Sequence, residues 1–473
     1  MTTAAVVLAA GKGTRFKSEL PKVLHAATGR TMLRWVLEAL RPLSLDRIVV
    51  VVGHGADAVR AEAEAAGMPG LVTVEQVEQN GTGHAVRVVA DAGALDDVDN
   101  VLVVPGDSPL LTPQALGDLL DCHQGGVTML TAELDDPTGY GRVLRDHDGR
   151  VTGVVEQRDA ANEQRAITEV NTSIYVFARE QLVEALHRLT ADNDQGEEYL
   201  TDVIALLSAE GILTSRAPAE VAVGVNDRAQ LAAVGGVLQR RILSEHMSNG
   251  VTIVDPSATY VGAGVSLATD VVLLPGTHLE GATRVGAGAV IGPNSRLVDT
   301  HVETGATVAY SVVLQAWIGA YATVGPFTYI RPETRLEREA KAGAFVEMKN
   351  STVGEGSKVP HLSYVGDTTI GSGANIGAAT VTVNYDGFNK HRTVIGDGAR
   401  IGSDTMLVAP VTVGAGAYTG AGSVITKDVP AGALAVERTE QRIIEGYAER
   451  HRARSTPPGA QAAEGGSAIQ KEE

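Results

Sequence analysis

The sequence predicts two architectures in one chain: an α/β unit with a mostly parallel sheet, then a prism of short parallel strands wound in triangular coils. Two observations carry this expectation. Residues 1 to about 225 alternate continuous apolar runs with amphipathic stretches, and wholly apolar strands separated by helices belong to parallel sheets covered on both faces. From about residue 251 to 426 a small aliphatic residue then recurs at nearly every sixth position. Val261, Leu267, Leu273, Leu279, Val285, Ile291 and Leu297 run without a break, followed by Ile318, Val324, Ile330, Leu336 and Ala342, and by Ile395, Ile401, Leu407 and Val413. Units this short cannot each bury a core, so they must stack.

In the first unit, residues 4–10 read as a buried strand, 32–40 as an amphipathic helix, 48–52 as a strand, 56–66 as a helix and 71–75 as a strand. Residues 101–104 and 113–121 continue the alternation as strand and helix. Residues 142–144 and 151–155 flank a polar turn at 146–149 and suit an antiparallel hairpin added to the sheet. Residues 226–247 lack proline and carry Leu231, Val234, Leu238, Ile242 and Leu243, which suits a connecting helix with Asn226 as its expected N-cap.

The expected division is 1–225 for the α/β unit, 226–250 for a linker helix, 251–437 for the repeat and 438–473 for a largely disordered tail. Pro457-Pro458-Gly459 and Gly465-Gly466-Ser467 make the end of that tail low in complexity. One inward aliphatic residue in six suits three strands per coil. At a strand spacing of about 4.8 Å, roughly ten coils would form a prism about 45 to 50 Å long. The phase slips near residues 297–318 and again near 380–395. The second slip contains Asn384-Tyr385-Asp386-Gly387-Phe388-Asn389-Lys390-His391, a polar loop with two aromatics, and interruptions of solenoids tend to carry binding residues.

Composition narrows the partners. A net charge of −18 and a pI near 5.1 argue against a general binder of nucleic acid or anionic membrane, which needs a broad basic face. Small anionic substrates stay open if cations gather locally. Cys122 is the single cysteine and cannot form an internal disulfide, which points to a reducing compartment. The apolar run 4–10 is too short to span a membrane and has no basic residues before it, so a cytoplasmic protein is expected.

Leu8-Ala9-Ala10-Gly11-Lys12-Gly13-Thr14-Arg15 is a strand ending in a glycine-rich turn. Backbone N–H groups at such a turn can approach an anion, and Lys12, Arg15 and Lys22 could neutralise phosphates. Taken alone the turn is as readily structural, and it is not the G-x-x-x-x-G-K-[ST] loop. Its continuation, Ser18-Glu19-Leu20-Pro21-Lys22, makes the stretch resemble the L-A-A-G-x-G-T-R-x-x-S-x-x-P-K signature of the sugar-nucleotide pyrophosphorylases. More of that family's pattern follows in order: Gln76-Val77-Glu78-Gln79-Asn80-Gly81-Thr82-Gly83-His84, Pro105-Gly106-Asp107-Ser108-Pro109-Leu110, Gly139-Tyr140-Gly141-Arg142, Val155-Glu156, Glu169-Val170-Asn171-Thr172 and Val225-Asn226-Asp227.

Because the repeat follows, nearly the whole chain resembles one family, the bacterial bifunctional N-acetylglucosamine-1-phosphate uridyltransferase/glucosamine-1-phosphate acetyltransferases. That resemblance implies a Rossmann-like nucleotidyltransferase unit and a left-handed parallel β-helix of hexapeptide repeats. It also implies that the second unit acetylates glucosamine 1-phosphate from acetyl-CoA. The first would couple the resulting N-acetylglucosamine 1-phosphate to UTP, releasing pyrophosphate.

In-line displacement at a phosphate is mainly a problem of positioning and electrostatics. Asp107 follows the strand 101–104, at the edge where an α/β sheet presents its ligand groups, although an Asp in Gly-Asp-Ser-Pro could simply serve a turn. The resemblance gives Asp107 and Asn226 to Mg2+, Leu8, Ala9, Ala10, Gly11, Gln76, Gly81 and Thr82 to the uridine nucleotide, and Lys22 to its phosphates. Gly141, Glu156 and Asn171 would hold the acetylated sugar. Ser173 departs from the pattern, since relatives commonly carry Gly after Asn-Thr.

In the repeat, Phe345-Val346-Glu347-Met348-Lys349 is followed by Pro360-His361-Leu362-Ser363-Tyr364 and Asn375-Ile376-Gly377-Ala378. N-Acetyl transfer needs a base to take the amine proton, and histidine titrates in the useful range. A lone His is otherwise a structural hydrogen-bonder. His361 lies in a stretch resembling the family's H-L-[ST]-Y segment, which implies the base. By the same resemblance Arg331 and Lys349 bind the sugar phosphate, Tyr364 and Asn375 contact the glucosamine, and Ala378, Asn384, Tyr385, Ser403, Ala421 and Arg438 line the acetyl-CoA groove.

Zinc chemistry of the kind some hexapeptide-repeat hydratases use is not expected. Their close H-x-x-x-x-H pair is missing among His278, His301, His361 and His391. Flat prism faces usually pack as trimers, and the family is trimeric with the acetyl site at subunit interfaces. A pyrophosphorylase whose prism serves only oligomerisation or regulation is the alternative reading.

Overall fold

In the computed structural model, the described residues are 1–192 and 196–455. The first unit is built on a nine-stranded sheet. Across it run Ile212–Arg216, Val127–Glu133, Glu169–Ala178, Asn100–Pro105, Thr3–Leu8, Arg47–Val52 and Leu71–Glu75. Only Glu169–Ala178 runs antiparallel to its neighbours in that row. The hairpin of Arg142–Arg145 and Val151–Val155 joins the N-terminal part of Glu169–Ala178, an interior strand, through Val170 opposite Arg142.

The strands alternate between two cores, as a sheet with helices on both faces must. Ala5, Val7, Ile48, Val50, Leu102 and Val104 pack with Met32–Leu40, Ala56–Glu64 and Pro113–Cys122. Ala4, Val6, Val49, Val51, Val101 and Val103 pack with Thr82–Asp91, Arg179–Leu186 and Leu200–Leu207. Burial on both faces explains why these strands read as unbroken apolar runs.

The connecting helix is Arg228–Ser248, with Val234, Leu238, Ile242 and Leu243 buried. Its N-cap is Asp227, whose Oδ1 accepts from the Gln230 amide at 2.8 Å. Asn226, the cap expected from sequence, lies one residue outside, and its side chain is drawn away by two cations described below. The helix is tied to the first unit by Arg241, which donates to the Leu110 carbonyl at 2.9 Å. Arg30 reaches the first coil by donating to the Ala263 carbonyl at 3.0 Å.

The repeat forms a left-handed parallel β-helix of three sheets, with eleven, ten and nine strands. The inward aliphatics are buried throughout, Leu267 at the open end only partly. Coil length follows the phase slips. Val261 pairs with Leu279 and Leu279 with Leu297, but Leu297 pairs with Val313 and Val302 with Ile318, two residues short. Leu336 opposite Val353 is a further shortening that the six-residue count does not register. Ile370 opposite Ile395 is the long coil, and its excess is the 384–391 loop.

Corners demand small residues where successive coils touch. A Cβ on Gly343 would lie 2.0 Å from the Pro360 carbonyl oxygen of the next coil. Backbone against backbone cannot swing aside, so Gly343→Ala is expected to cost about 3 kcal/mol or more in equilibrium unfolding. It would also displace His361 directly downstream.

Within the stretch expected to lack structure, Tyr447–Ser455 forms a helix. Residues 456–473 of that expected tail lie outside the described residues. No helix among the described residues is long and apolar enough to cross a membrane.

Candidate functional site

The strands Thr3–Leu8 and Asn100–Pro105 are neighbours, so the loops leaving their C-terminal ends meet. Gly106 permits this approach, because a Cβ there would lie 2.9 Å from the Leu8 carbonyl oxygen. Ala9 and Ala10 are buried under the turn, whereas Gly11 faces open space. Gly13 has φ +58°, and a Cβ on it would strike the Lys22 side chain. The glycine thus lets Lys22 cross the turn.

Lys22 is ion-paired with Asp107, and its Nζ also donates to Asn226 Oδ1 at 3.0 Å. Arg15 donates to the same oxygen at 2.8 Å. The Val225 amide donates to the Asp107 carbonyl at 3.1 Å, which holds the 225–226 segment beside the Asp107 loop. Two side-chain oxygen groups and two cations therefore converge where the sheet presents its loops. Burial pushes the Tyr140 hydroxyl pKa up, and the Asp107 charge adds to it.

Gln76 is buried, and its Nε2 contacts the Gly81 carbonyl and His84 Nδ1, each at 3.0 Å. Gly81 takes φ +107° before the helix Thr82–Asp91, and the Thr82 hydroxyl accepts from the Leu200 amide at 3.1 Å. A side chain at Gly81 would collide with the Glu198 backbone.

Gly141, Glu156 and Asn171 form a second group beside the first. A Cβ on Gly141 would lie 3.5 Å from Glu156 Oε1 and 3.6 Å from Asn171 Cβ. Asn171 is buried and donates to the Tyr175 hydroxyl at 2.7 Å. Arg142, almost wholly buried, staples the rim by donating to the Tyr140 carbonyl, to Gln157 Oε1 at 2.8 Å and to the Arg165 carbonyl at 3.3 Å. Ser173 sits at φ +61° in a register shift of its strand. That left-handed conformation suits the Gly expected there, and Ser173 itself is exposed.

Burial raises the Glu156 pKa, and Asp159 and Asp202 raise it further. A carboxyl that binds its proton more tightly when folded removes stability as pH climbs from its ordinary value of 4.5 through the raised one. Glu156→Gln is therefore expected to raise the thermal midpoint at pH 7, with the gain vanishing at about pH 4.

On the β-helix, His361, Ala378, Ser403 and Ala421 are successive rungs of one corner. The Ala379 amide donates to the His361 carbonyl, Asp404 to Ala378 and Gly422 to Ser403. Arg438 reaches the same column by donating to the Ala421 carbonyl at 3.0 Å. Gly377 and Gly402 keep the column flat, since a Cβ on either would press on the next rung's backbone. His361, Ser403, Ala421 and Arg438 are exposed.

The next corner carries Lys349, Asn384 and Tyr385. Lys349 stands against Lys390 and near Arg331, and the neighbouring Lys390 charge lowers its pKa. Arg331 donates to Glu347 at 2.8 Å. Tyr364 lies on the strand between the two corners, with Glu347 on its adjacent rung. Asn375 lies on the outer face of the preceding sheet, beside Lys358 and Arg400. The residues expected to line one acetyl-CoA groove thus fall on two corners of a single chain.

Lys390 was not singled out from sequence as a site residue, because only the folded 384–391 loop carries it to Lys349. The loop is self-tied: Asp386 accepts from the Phe388 and Asn389 amides at 2.8 and 2.6 Å and pairs with His391 at 2.7 Å. Among the described residues, no group of three or more His, Cys, Asp or Glu side chains could hold a metal ion.

Residues 5–208 match the family described as MobA-like NTP transferase domain. Residues 392–427 match the bacterial transferase hexapeptide family of six repeats. The chain is 51% identical to the bifunctional protein GlmU of Streptomyces coelicolor, covering 99% of this chain and 98% of that protein. It is 52% identical to the protein of the same name from Thermobifida fusca, covering 99% and 98%. For that of Mycobacterium sp. strain KMS the identity is 50%, covering 98% and 93%.

Proposed function

The chain belongs to the GlmU family of bifunctional proteins, and on that premise we propose how its two sites divide the chemistry. It is a bifunctional enzyme of UDP-N-acetylglucosamine synthesis: the β-helix acetylates glucosamine 1-phosphate from acetyl-CoA, and the α/β unit transfers uridylyl from UTP to the product. The working division is 1–225 for uridylyl transfer, 226–250 for the linker and 251–437 for acetyl transfer.

In the α/β unit, the sugar phosphate oxygen attacks the α-phosphorus of UTP, and the bond to the β-phosphate oxygen breaks to release pyrophosphate. Leu8, Ala9, Ala10, Gly11, Gln76, Gly81 and Thr82 seat the uridine, while Lys22 and Arg15 hold phosphate oxygens. Gly141, Glu156 and Asn171 orient the N-acetylated sugar. The observation that carries this reading is the convergence of Lys22, Arg15, Asp107 and Asn226.

One carboxylate and one amide oxygen fit Mg2+, which uses few protein ligands and completes its octahedron with water and substrate phosphates. Asp107 and Asn226 would hold that ion, which would neutralise phosphate charge when bound.

In the β-helix, Arg331, Lys349 and Lys390 gather the phosphate of glucosamine 1-phosphate, with Tyr364 and Asn375 toward the sugar. The amine attacks the thioester carbonyl, His361 takes the amine proton, and the coenzyme A thiolate leaves along Ala378, Ser403 and Ala421. Asn384, Tyr385 and Arg438 complete the cofactor's contacts. Because the groove residues are split between two corners, a trimer in which one copy's His361 corner faces the next copy's 384–391 loop completes the site. An exposed apolar column of Tyr310, Phe327, Phe345 and Leu362 beside His361 supports such packing. A cytoplasmic setting agrees with these substrates.

Two assays on one preparation test the reading. Acetyl-CoA consumption with glucosamine 1-phosphate and pyrophosphate release with UTP and N-acetylglucosamine 1-phosphate should both proceed. Pyrophosphate release without acetyl transfer would leave the prism as an oligomerisation module.

A further inference from the structure

We propose that Asp367 is a positioning residue of the acetyl-transfer site that fixes the side chain of Asn384 as a hydrogen-bond acceptor toward the bound substrates. The inference rests on the reading that Asn384 touches a substrate. Asp367 lies at the corner after Tyr364–Gly366 and is 8% exposed. Its Oδ1 accepts from Asn350 Nδ2 at 2.6 Å and its Oδ2 from Asn384 Nδ2 at 2.5 Å. Its backbone is pinned as well: its amide donates to the Lys349 carbonyl at 3.0 Å, and its carbonyl accepts from Thr393 at 3.2 Å.

A carboxylate can only accept, so each flanking amide must turn its NH2 toward Asp367. The Oδ1 of Asn384 then faces away, and whatever it meets must donate. Amine and amide N–H groups are the donors that a glucosamine phosphate and a pantetheine arm can supply. Gly366 shows that the orientation is crowded as well as bonded, since a Cβ there would lie 2.6 Å from both Asn384 Nδ2 and the Tyr364 hydroxyl. The carboxylate also faces the Lys349 ammonium, partly offsetting the repulsion from Lys390 and Arg331.

Asp367→Asn keeps the shape but offers one acceptor and one donor, so either Asn350 or Asn384 must flip. Adding Asn350→Asp restores the pattern: the residue 350 carboxylate accepts from residue 367, whose carbonyl oxygen again accepts from Asn384. The expected result is a roughly 10- to 100-fold fall in kcat/KM for acetyl transfer in the Asp367→Asn variant. The double variant should recover to within about threefold of the parent.

A merely structural role would lower the thermal midpoint of both variants without that recovery. Asn384→Ala separates the two layers. If it is as active as the parent, the reading that Asn384 touches substrate falls and this inference with it. If Asn384→Ala is impaired while Asp367→Asn is not, the inference alone is overturned. Failure of the double variant to recover, at an unchanged thermal midpoint, also overturns it.

Discussion

Asp107→Ala is expected to lower uridylyl transfer by about 10³-fold or more, and to leave acetyl transfer by the same preparation within about twofold. Removing the carboxylate deprives Lys22 of its ion-pair partner and leaves Asn226 as the sole neutral oxygen among two cations. On the proposed reading the charge that would hold a divalent ion against a triphosphate is then gone, while the sheet keeps its register, because Asp107 lies beyond the strand Asn100–Pro105. Pyrophosphate release measured beside acetyl-CoA consumption checks it. Loss of both activities would mean that the variant misfolds, and retained uridylyl transfer would remove Asp107 from the site.

His361→Ala is expected to lower acetyl transfer by about 10²- to 10⁴-fold and to spare uridylyl transfer. The side chain is exposed at its corner, so truncation leaves no cavity and the thermal midpoint should hold. A variant with an unchanged rate would assign the proton transfer elsewhere.

Much of the fold was legible because burial imposes periodicity. Strands such as Arg47–Val52 are covered on both faces and read as apolar runs, and the inward residue of each short strand marks its coil. The N-cap of the linker helix was misread by one residue, since both Asn226 and Asp227 can cap. Only the cations at Lys22 and Arg15 decide which of the two is free to do so. The shortened coil between Leu336 and Val353 escaped because one deleted corner residue leaves the aliphatic beat nearly intact.

The candidate sites divide in the same way. Motif residues such as Lys22, Asp107 and His361 could be named because the motifs that hold them resemble a family's. Lys390 and Asp367 could not, because nothing within a few residues of either announces the partner it meets.

By itself the sequence determined the two architectures, the order of the units and the residue types available for phosphate and acyl chemistry. Periodicity and local motifs are properties of neighbouring residues, and they survive without a folded chain. The tertiary structure alone decided which of those residues converge: Arg15 and Lys22 on Asn226, Lys390 on Lys349, Asp367 on Asn384. It also decided that the groove residues split between two corners. Those contacts depend on coil length and strand register, where one residue more or less turns a side chain to another face, and stacking many coils sums small local choices into a position that no single segment encodes.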